Sequence, residues 1–517
     1  MTKSSISAQS GGKFSIRLIV LLLIAWALLT FQLGSPWYGV QDSYRVWIPS
    51  AVRNYEIYGV DQIGLMVVRD SDPVNDIADL YIYSHHPPLL AWIPALLTQF
   101  TGFNELSVRY AFACATLLGI VAMYVITRRL YNDRVAWWAA AFYGLVPMVS
   151  YMGRVPGHDP LGLLAALLFT AVTINWLRQP NRARFLALLF LAWMAVWTAW
   201  PAVFMVAGVG LGAFFLGNMR QRIGVIGIGV WCIVALIVLL GSYQLQWDQS
   251  IDSLLDAFVW RTSEVSGVRD SDPLTISAYL GKLFIDIFVL ITPGVLVMSI
   301  LGLFPLRKRS SRTALVIVGA LFFGGLSYLL AFRNASYIHD YYKVFLLPSM
   351  AIVAAIAWVY LRMRKPPHRV LRPVMDGMLL TTVLLGLFVF GVLHYSAHQP
   401  EIDAIIDSIN TASSEDDHLS VYFNYPGYDF PTGMDRVVKF YTFRRMDWNM
   451  PPEEVLANAQ ANEGRTLYFF CRNPDHEESI EEQQAEDDLA LLEAYPHEAI
   501  YEDHCVRYEL GATNTDQ

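Results

Sequence analysis

Long apolar runs separated by short polar turns fill this 517-residue chain as far as residue 394. They lie at about 16–35, 106–126, 135–153, 159–177, 184–200, 201–218, 223–241, 276–303, 313–332, 343–361 and 374–394. Most approach the roughly 20 residues that a helix needs to cross a bilayer. The pattern predicts about eleven transmembrane helices. The pair that meets at Trp200-Pro201 must be joined by a very short turn.

The stretch 87–100 is also apolar, but it is short and opens on Pro87-Pro88. It predicts a juxtamembrane or re-entrant helix rather than a span. The first loop then runs over 34–105. Within it, Tyr44, Trp47, Ile48, Ala51, Val52 and Tyr55 recur at helical spacing, as in a helix lying along the membrane surface. A second long loop, 242–275, is too polar and too extended for a bare turn and suits a cover over a site.

Charge orients this pattern. Lys and Arg gather in the turns 128–134, 178–184, 220–222, 307–312 and 362–372, and Lys3, Lys13 and Arg17 precede the first run. Basic turns stay cytoplasmic, so the N-terminus is expected inside and the intervening loops outside. An odd number of spans then puts the C-terminus outside. The first run reads as an uncleaved signal anchor. The overall charge of −8 conceals a division: residues from Ala397 on carry 26 acids and 7 bases, which leaves 19 acids and 30 bases for the rest. The acidity therefore belongs to a soluble tail and does not speak for nucleic acid. The domains expected are 1–396 in the membrane and 397–517 as an extracytoplasmic α/β domain.

In that tail, HLSVYFNY (418–425), VVKFYTF (437–443), TLYFFC (466–471) and CVRYEL (505–510) read as strands, and 451–461 and 478–494 as helices. Cys471 and Cys505 lie in two of the strands and can pair in an exported domain, the alternative being two buried thiols. Cys114 and Cys232 fall inside spans and read as packing residues.

The oddly placed ionisable residues cluster in the expected exterior loops, and burying such groups near a membrane is costly. Asp42 follows the first span; Asp159 follows Gly153-Arg154-Val155-Pro156-Gly157-His158. Either acid also suits a helix start. His85 and His86 precede the Pro-Pro helix, where a phosphate or a metal could bind, or where they stand as interfacial histidines. Arg333, His339, Tyr341 and Tyr342 gather before Leu347-Pro348, where an aromatic belt is the plainer reading. Asn334-Ala335-Ser336 also has the form of a glycosylation acceptor. One pentapeptide, Arg-Asp-Ser-Asp-Pro, occurs at 69–73 and 269–273, as a turn or as a paired cation or phosphate contact.

An Asp after the first span, a Pro-Pro-Leu-Leu-x-Trp helix, Gly-Arg-x-x-x-x-x-Asp-Pro and His-x-Tyr-Tyr before Leu-Pro together resemble the C-type glycosyltransferase superfamily. Bacterial relatives of protein O-mannosyltransferase and of the lipid A aminoarabinose transferase are the nearest in pattern. The resemblance covers about 1–395. It implies a polyprenyl-phosphate sugar donor, inversion at the anomeric carbon and a cavity on the exterior face. Asp42 stands where the family has its first-loop acid, and Asp159 where it has a second. Two departures stand out: Ser43 follows Asp42 where many relatives have Glu, and His86 precedes the prolines where many have Lys.

A lipid phosphate departs without a proton, so such a transfer needs one base and positive charge on the phosphate. Asp42 is the expected base, with Asp159 orienting acceptor or sugar. Arg333 is the expected phosphate partner, supported by His85, His86 and Arg154, with His158, His339 and Tyr342 completing the substrate-binding set. The sequence establishes no cofactor. His86, His158, Asp159 and His339 are candidates for a divalent metal, although no fixed ligand spacing supports one. The expected partners are the donor, membrane lipids and a glycan, lipid or protein acceptor. The alternative is a transporter or flippase of lipid-linked substrates; the lack of internal repeats and the one-sided charges weigh against it.

Overall fold

The computed structural model describes residues 16–69, 77, 80–263, 274–362, 371–395, 399–414, 417–424, 434–448, 450, 452–461, 465–472, 491–492, 494–501 and 505–510. The chain divides into two compact units. One comprises Met1–Ser35, Tyr55–Val67 and Ile82–Leu393; the other comprises Pro36–Asn54, Val68–Tyr81 and His394–Gln517. Two stretches of the first long loop thus group with the tail. Both copies of the repeated pentapeptide lie outside the described residues beyond Arg69, as does most of the helix expected at 478–494.

After α1 (Ile16–Thr30), the first loop carries α2 (Asp42–Arg45), α3 (Trp47–Ile57), α4 (Val60–Ile63) and α5 (Leu89–Thr101). Then come α6 (Glu105–Leu130), α7 (Asp133–Gly144), α8 (Pro147–Ser150), α9 (His158–Arg178), α10 (Arg182–Thr198), α11 (Trp200–Leu216) and α12 (Met219–Gln246). The second long loop contains α13 (Ser250–Thr262). α14 (Ile276–Asp286) passes through a π-helical turn, Ile287–Ile291, into α15 (Pro293–Arg309). α16 (Arg312–Ala331), the short α17 (Arg333–Ile338), a 3₁₀ helix at Asp340–Leu346, α18 (Leu347–Arg362) and α19 (Leu371–Tyr395) complete the series.

Every apolar run expected to span is helical. Among the described residues six helices are long and apolar enough to cross a membrane, and two bent pairs, at 67° and 105°, raise the number to eight. α1 and α11, with 15 and 17 residues, are shorter than the sequence suggested, and α10, with 17, starts two residues earlier. The protein is a polytopic helical membrane protein. The stretch after Pro87-Pro88 forms α5, a helix of 13 residues, in keeping with its short apolar run.

Asparagine starts several of these helices. Asn104, Asn132, Asn181 and Asn218 each accept a bond from the amide three residues on, and Gln221 returns the bond to Asn218 in a capping box. Arginines of the basic turns cover carbonyls at helix ends: Arg178 donates to Arg129 O in the last turn of α6, and Arg222 reaches Phe214 O at 3.1 Å. Glycine allows α11 and α16 to touch. A Cβ on Gly208 would lie 2.7 Å from Ala320 O, and one on Gly324 would lie 2.8 Å from Met205 Cα.

The second unit holds a five-stranded sheet in the order β2-β1-β3-β5-β4, from β1 (His418–Asn424), β2 (Asp447–Trp448), β3 (Thr466–Arg472), β4 (His497–Tyr501) and β5 (Cys505–Leu510). β1 runs parallel to β2 and β3; β5 is antiparallel to β3 and β4. β3 is buried on both faces. Tyr468 and Phe470 pack with Val455 of α22 (Pro452–Ala461), while Leu467, Phe469 and Cys471 alternate with them. α20 (Pro400–Ala412) buries Ile402, Ile405, Ile406 and Ile409, one helical face. Cys471 and Cys505 face each other across β3 and β5 and are bonded.

Residues 437–443 are not a strand. They lie largely in α21 (Met434–Thr442). Their aromatic and β-branched content reads as strand, but Val437 and Tyr441, and Val438 and Thr442, are four apart, and tertiary contacts select the helical period. The stripe expected at a membrane surface is buried in protein instead: Trp47, Ile48, Ala51 and Val52 are 7% exposed or less.

Candidate active site

In the membrane unit the second half of the His-His-Pro-Pro turn packs onto the start of α9. The His86 and His158 rings stack with centroids 4.5 Å apart. His158 then meets Tyr341 at 5.6 Å and Tyr342 at 5.4 Å, and Tyr342 meets Tyr328 at 5.0 Å. His339 stacks on Tyr341 at 5.1 Å. Four of the expected residues, His86, His158, His339 and Tyr342, are thus gathered into one cluster, although they come from three distant stretches of chain.

The His-His turn is fixed by its backbone. Trp200 Nε1 donates to His85 O at 2.8 Å, and Tyr243 Oη donates to His86 O at 2.9 Å. Ser84 Oγ donates to Ser250 O at 3.1 Å, which ties the turn to α13. His85 points elsewhere, with Nε2 3.1 Å from Ser253 Oγ.

The charge at this cluster comes from Arg261, near the end of α13. It is 7% exposed, with Nη2 3.4 Å from His86 Nε2 and Nη1 3.3 Å from His85 O. A guanidinium only donates, so His86 accepts at Nε2 and carries its proton on Nδ1. Burial, then His158 and the Arg261 charge, hold His86 well below the usual histidine range. His86 is therefore neutral at physiological pH, and the cation is the arginine.

Arg261 also lines an otherwise apolar groove of about 440 Å³. Trp200 and Phe204 of α11, Leu236 and Leu240 of α12, and Leu254 and Phe258 of α13 form its walls. A second apolar groove of about 470 Å³ runs between α9, α10, α11 and α12. Val203 and Cys232 line both, so the two are neighbours along the same helices.

The other expected residues fall as follows. Asp159 is 3% exposed in the first turn of α9, next to His158. Arg154 is fully buried, donates through Nη1 to Phe31 O and lies 5.2 Å from the Tyr151 ring. With Arg109, which reaches Leu33 O at 2.9 Å, it covers carbonyls beyond the end of α1. Arg333 is half-buried at the start of α17. Asn334 is buried and donates to Trp260 O at 2.9 Å, so it is a structural residue and not an accessible glycosylation acceptor. Among the described residues no group of three or more His, Cys, Asp or Glu is placed to hold a metal ion.

Asp42 belongs to the second unit. It is 1% exposed and opens α2 after Gln41, whose φ of 69° is left-handed. The tail holds this segment on both sides. Trp37 N donates to Tyr441 Oη at 3.0 Å, and Tyr38 Oη donates to Asp403 Oδ1 at 2.6 Å. Arg53 lies between the rings of Phe440, at 4.4 Å, and Phe443, at 4.6 Å.

Residues 85–247 match the family described as dolichyl-phosphate-mannose-protein mannosyltransferase. The whole fold is similar to ArnT from Cupriavidus metallidurans bound to undecaprenyl phosphate, with a TM-score of 0.61 at 14% identity over 96% of this chain and 97% of that one. About a third of the chain thus matches that family, and the fold as a whole is that of a structure holding undecaprenyl phosphate. Two further solved structures are similar in fold. The oligosaccharyltransferase AglB from Archaeoglobus fulgidus gives a TM-score of 0.50 at 10% identity, over 88% of this chain and 69% of that one. The mycobacterial arabinofuranosyltransferase AftD gives 0.56 at 13% identity, over 98% of this chain and 40% of that one. No curated protein matches the chain in sequence.

The residue that sequence reasoning overlooked is Arg261. The long second loop was a sign of a cover, but nothing in its pattern singled out this arginine. It lies on α13 beside Phe258, Val259 and Trp260, and its role depends on a turn more than 170 residues earlier.

Proposed function

We propose that this protein is an integral-membrane glycosyltransferase that moves a sugar from a polyprenyl-phosphate carrier to an acceptor on the extracytoplasmic side, with inversion. The observation that carries this reading is a buried cation, Arg261, in the lining of an otherwise apolar groove. A polyprenyl phosphate has the matching form: one anionic head on a long apolar chain. The guanidinium fork suits phosphate oxygens and would neutralise the charge that develops as the glycosidic bond breaks. The leaving phosphate needs no proton. Neutral His86, already a hydrogen-bond partner of Arg261, orients the fork rather than adding charge.

Arg261 thus takes the phosphate role that the sequence suggested for Arg333, and Arg154 serves the end of α1. Asp42 is the base that takes the proton from the acceptor hydroxyl, and Asp159 orients the sugar or acceptor. The Cys471–Cys505 bond supports an extracytoplasmic tail, since disulfides persist in oxidising compartments. The basic turns support a cytoplasmic N-terminus in a plasma or inner membrane. Glycan, lipid and protein acceptors all fit this reading.

The test is turnover by the purified protein in proteoliposomes, with a panel of polyprenyl-phosphate hexoses and pentoses and a membrane extract as acceptor. Transfer of label from one donor, abolished in Asp42→Asn with the folded protein recovered in full, is expected. Full activity of Asp42→Asn would remove it as the base. Loss of no donor from the panel in any preparation would sink the reading.

A further inference from the structure

Arg261, proposed above for the donor phosphate, and Tyr341 and Tyr342, which pack on His158, come from two loops, and α17 joins them. Asn334 of α17 donates to Trp260 O, immediately before Arg261, at 2.9 Å. Ser336 Oγ lies 3.1 Å from Tyr279 Oη of α14, and both hydroxyls converge on Leu329 O, at 3.0 and 2.9 Å. From the end of α17 the chain passes directly through His339 into the 3₁₀ helix that carries Tyr341 and Tyr342.

One fully buried lysine closes this assembly. Lys343 Nζ donates to Ser336 O and, at 3.0 Å, to His339 O, carbonyls in and just beyond the last turn of α17. The same nitrogen lies 2.7 Å from Asp286 Oδ2, whose side chain is 7% exposed. The other oxygen, Asp286 Oδ1, is 2.5 Å from Lys282 Nζ. Asp286 sits where α14 gives way to the π-helical turn, before Thr292 with φ of 76° and the 105° bend. Breaks of this kind are common at functional sites. A buried pair is a poor way to add stability, because desolvation offsets much of the attraction. It does fix geometry, and here the fixed element is the turn that presents two tyrosines to His158.

We propose that Lys343, locked by Asp286, is a positioning residue for the donor phosphate site: it holds the α17–3₁₀ turn so that Tyr341 and Tyr342 stand beside the His86–His158–Arg261 cluster. This inference rests on the donor site proposed above. It concerns a pair that meets the cluster only at the backbone carbonyl of His339 and does not line the groove.

The probes are farnesyl phosphate and farnesol, measured by equilibrium binding to the full-length protein in detergent. Lys343→Met is expected to weaken farnesyl phosphate about tenfold and to leave farnesol within twofold, because the groove is intact. Lys343→Arg is expected to stay within about threefold of wild type. Because Lys343→Met leaves Asp286 short of its buried partner, Lys343→Met/Asp286→Leu is the companion variant. It is expected to recover thermal stability without recovering phosphate affinity. Recovery of affinity in the double variant, or an unchanged farnesyl phosphate affinity in Lys343→Met, would overturn the positioning role. Arg261→Met is the control: if it weakens farnesyl phosphate and Lys343→Met does not, only the positioning inference falls. If wild-type protein binds farnesyl phosphate no better than farnesol, the donor site and the inference fall together.

Discussion

Replacing Arg261 by methionine removes the one charged group among the described residues that line the groove and keeps an unbranched stem against its wall. The residue is 7% exposed, so solvent screening weakens its interactions little. A hydrogen bond to a charged partner contributes about 1.5–3 kcal/mol. Loss of the contact to phosphate should therefore raise the Kd for a short polyprenyl phosphate by about 10- to 100-fold. The same change strips a donor from His85 O and from His86 Nε2, so some thermal stability, about 1–3 kcal/mol, should be lost as well. Arg261→Lys keeps the charge without the fork and should fall between the two. The assay is equilibrium binding of radiolabelled farnesyl phosphate, normalised to folded protein by size exclusion, with farnesol as the uncharged reference. A Kd for Arg261→Met within twofold of wild type would refute the placement of the phosphate at this residue.

Other consequences can be checked separately. His86 is held neutral by burial, His158 and Arg261, so its folded pKa lies below the unfolded value of about 6.5. Stability is then retained above that pH and lost as pH falls through the folded value; thermal scans of His86→Gln should show a shallower acid loss than wild type. Cys471→Ser/Cys505→Ser removes a bond between residues 34 apart, and the unfolding of the tail should be destabilised by about 3–4 kcal/mol in denaturant. Arg53→Ala empties the Phe440–Phe443 sandwich and should speed amide exchange over Trp37–Asn54; equal protection in the variant would deny the tail its hold on the Asp42 segment. Cys232 lines both grooves, so bound polyprenyl phosphate should slow its alkylation at least several-fold while leaving Cys114 unaffected.

Much of the membrane part is legible because the bilayer imposes one simple rule, an apolar run of a fixed length, and basic turns mark its ends. Bends are less legible: the 67° and 105° breaks follow from Pro147 and from the π-helical turn with Thr292, and hydropathy passes over both. Helix and strand in the tail divide on tertiary contacts, as at 437–443, where residue type points one way and packing the other. The gathering of His86, His158, His339 and Tyr342 could be guessed from residue types in loops on one side. Arg261 and Lys343 could not, because each acts through partners far away in sequence. Asn334 illustrates the reverse: a functional residue type in a functional-looking place, used instead to satisfy a backbone carbonyl.

The central claim is bond cleavage at a lipid phosphate, as opposed to passage of an intact lipid. Proteoliposomes loaded with a polyprenyl-phosphate sugar, labelled in both the sugar and the prenyl chain, separate the two outcomes. Release of polyprenyl monophosphate with the sugar on acceptor, lost in both Asp42→Asn and Arg261→Met, is expected. Movement of doubly labelled, uncleaved lipid between leaflets, with no monophosphate released in any condition, would contradict it.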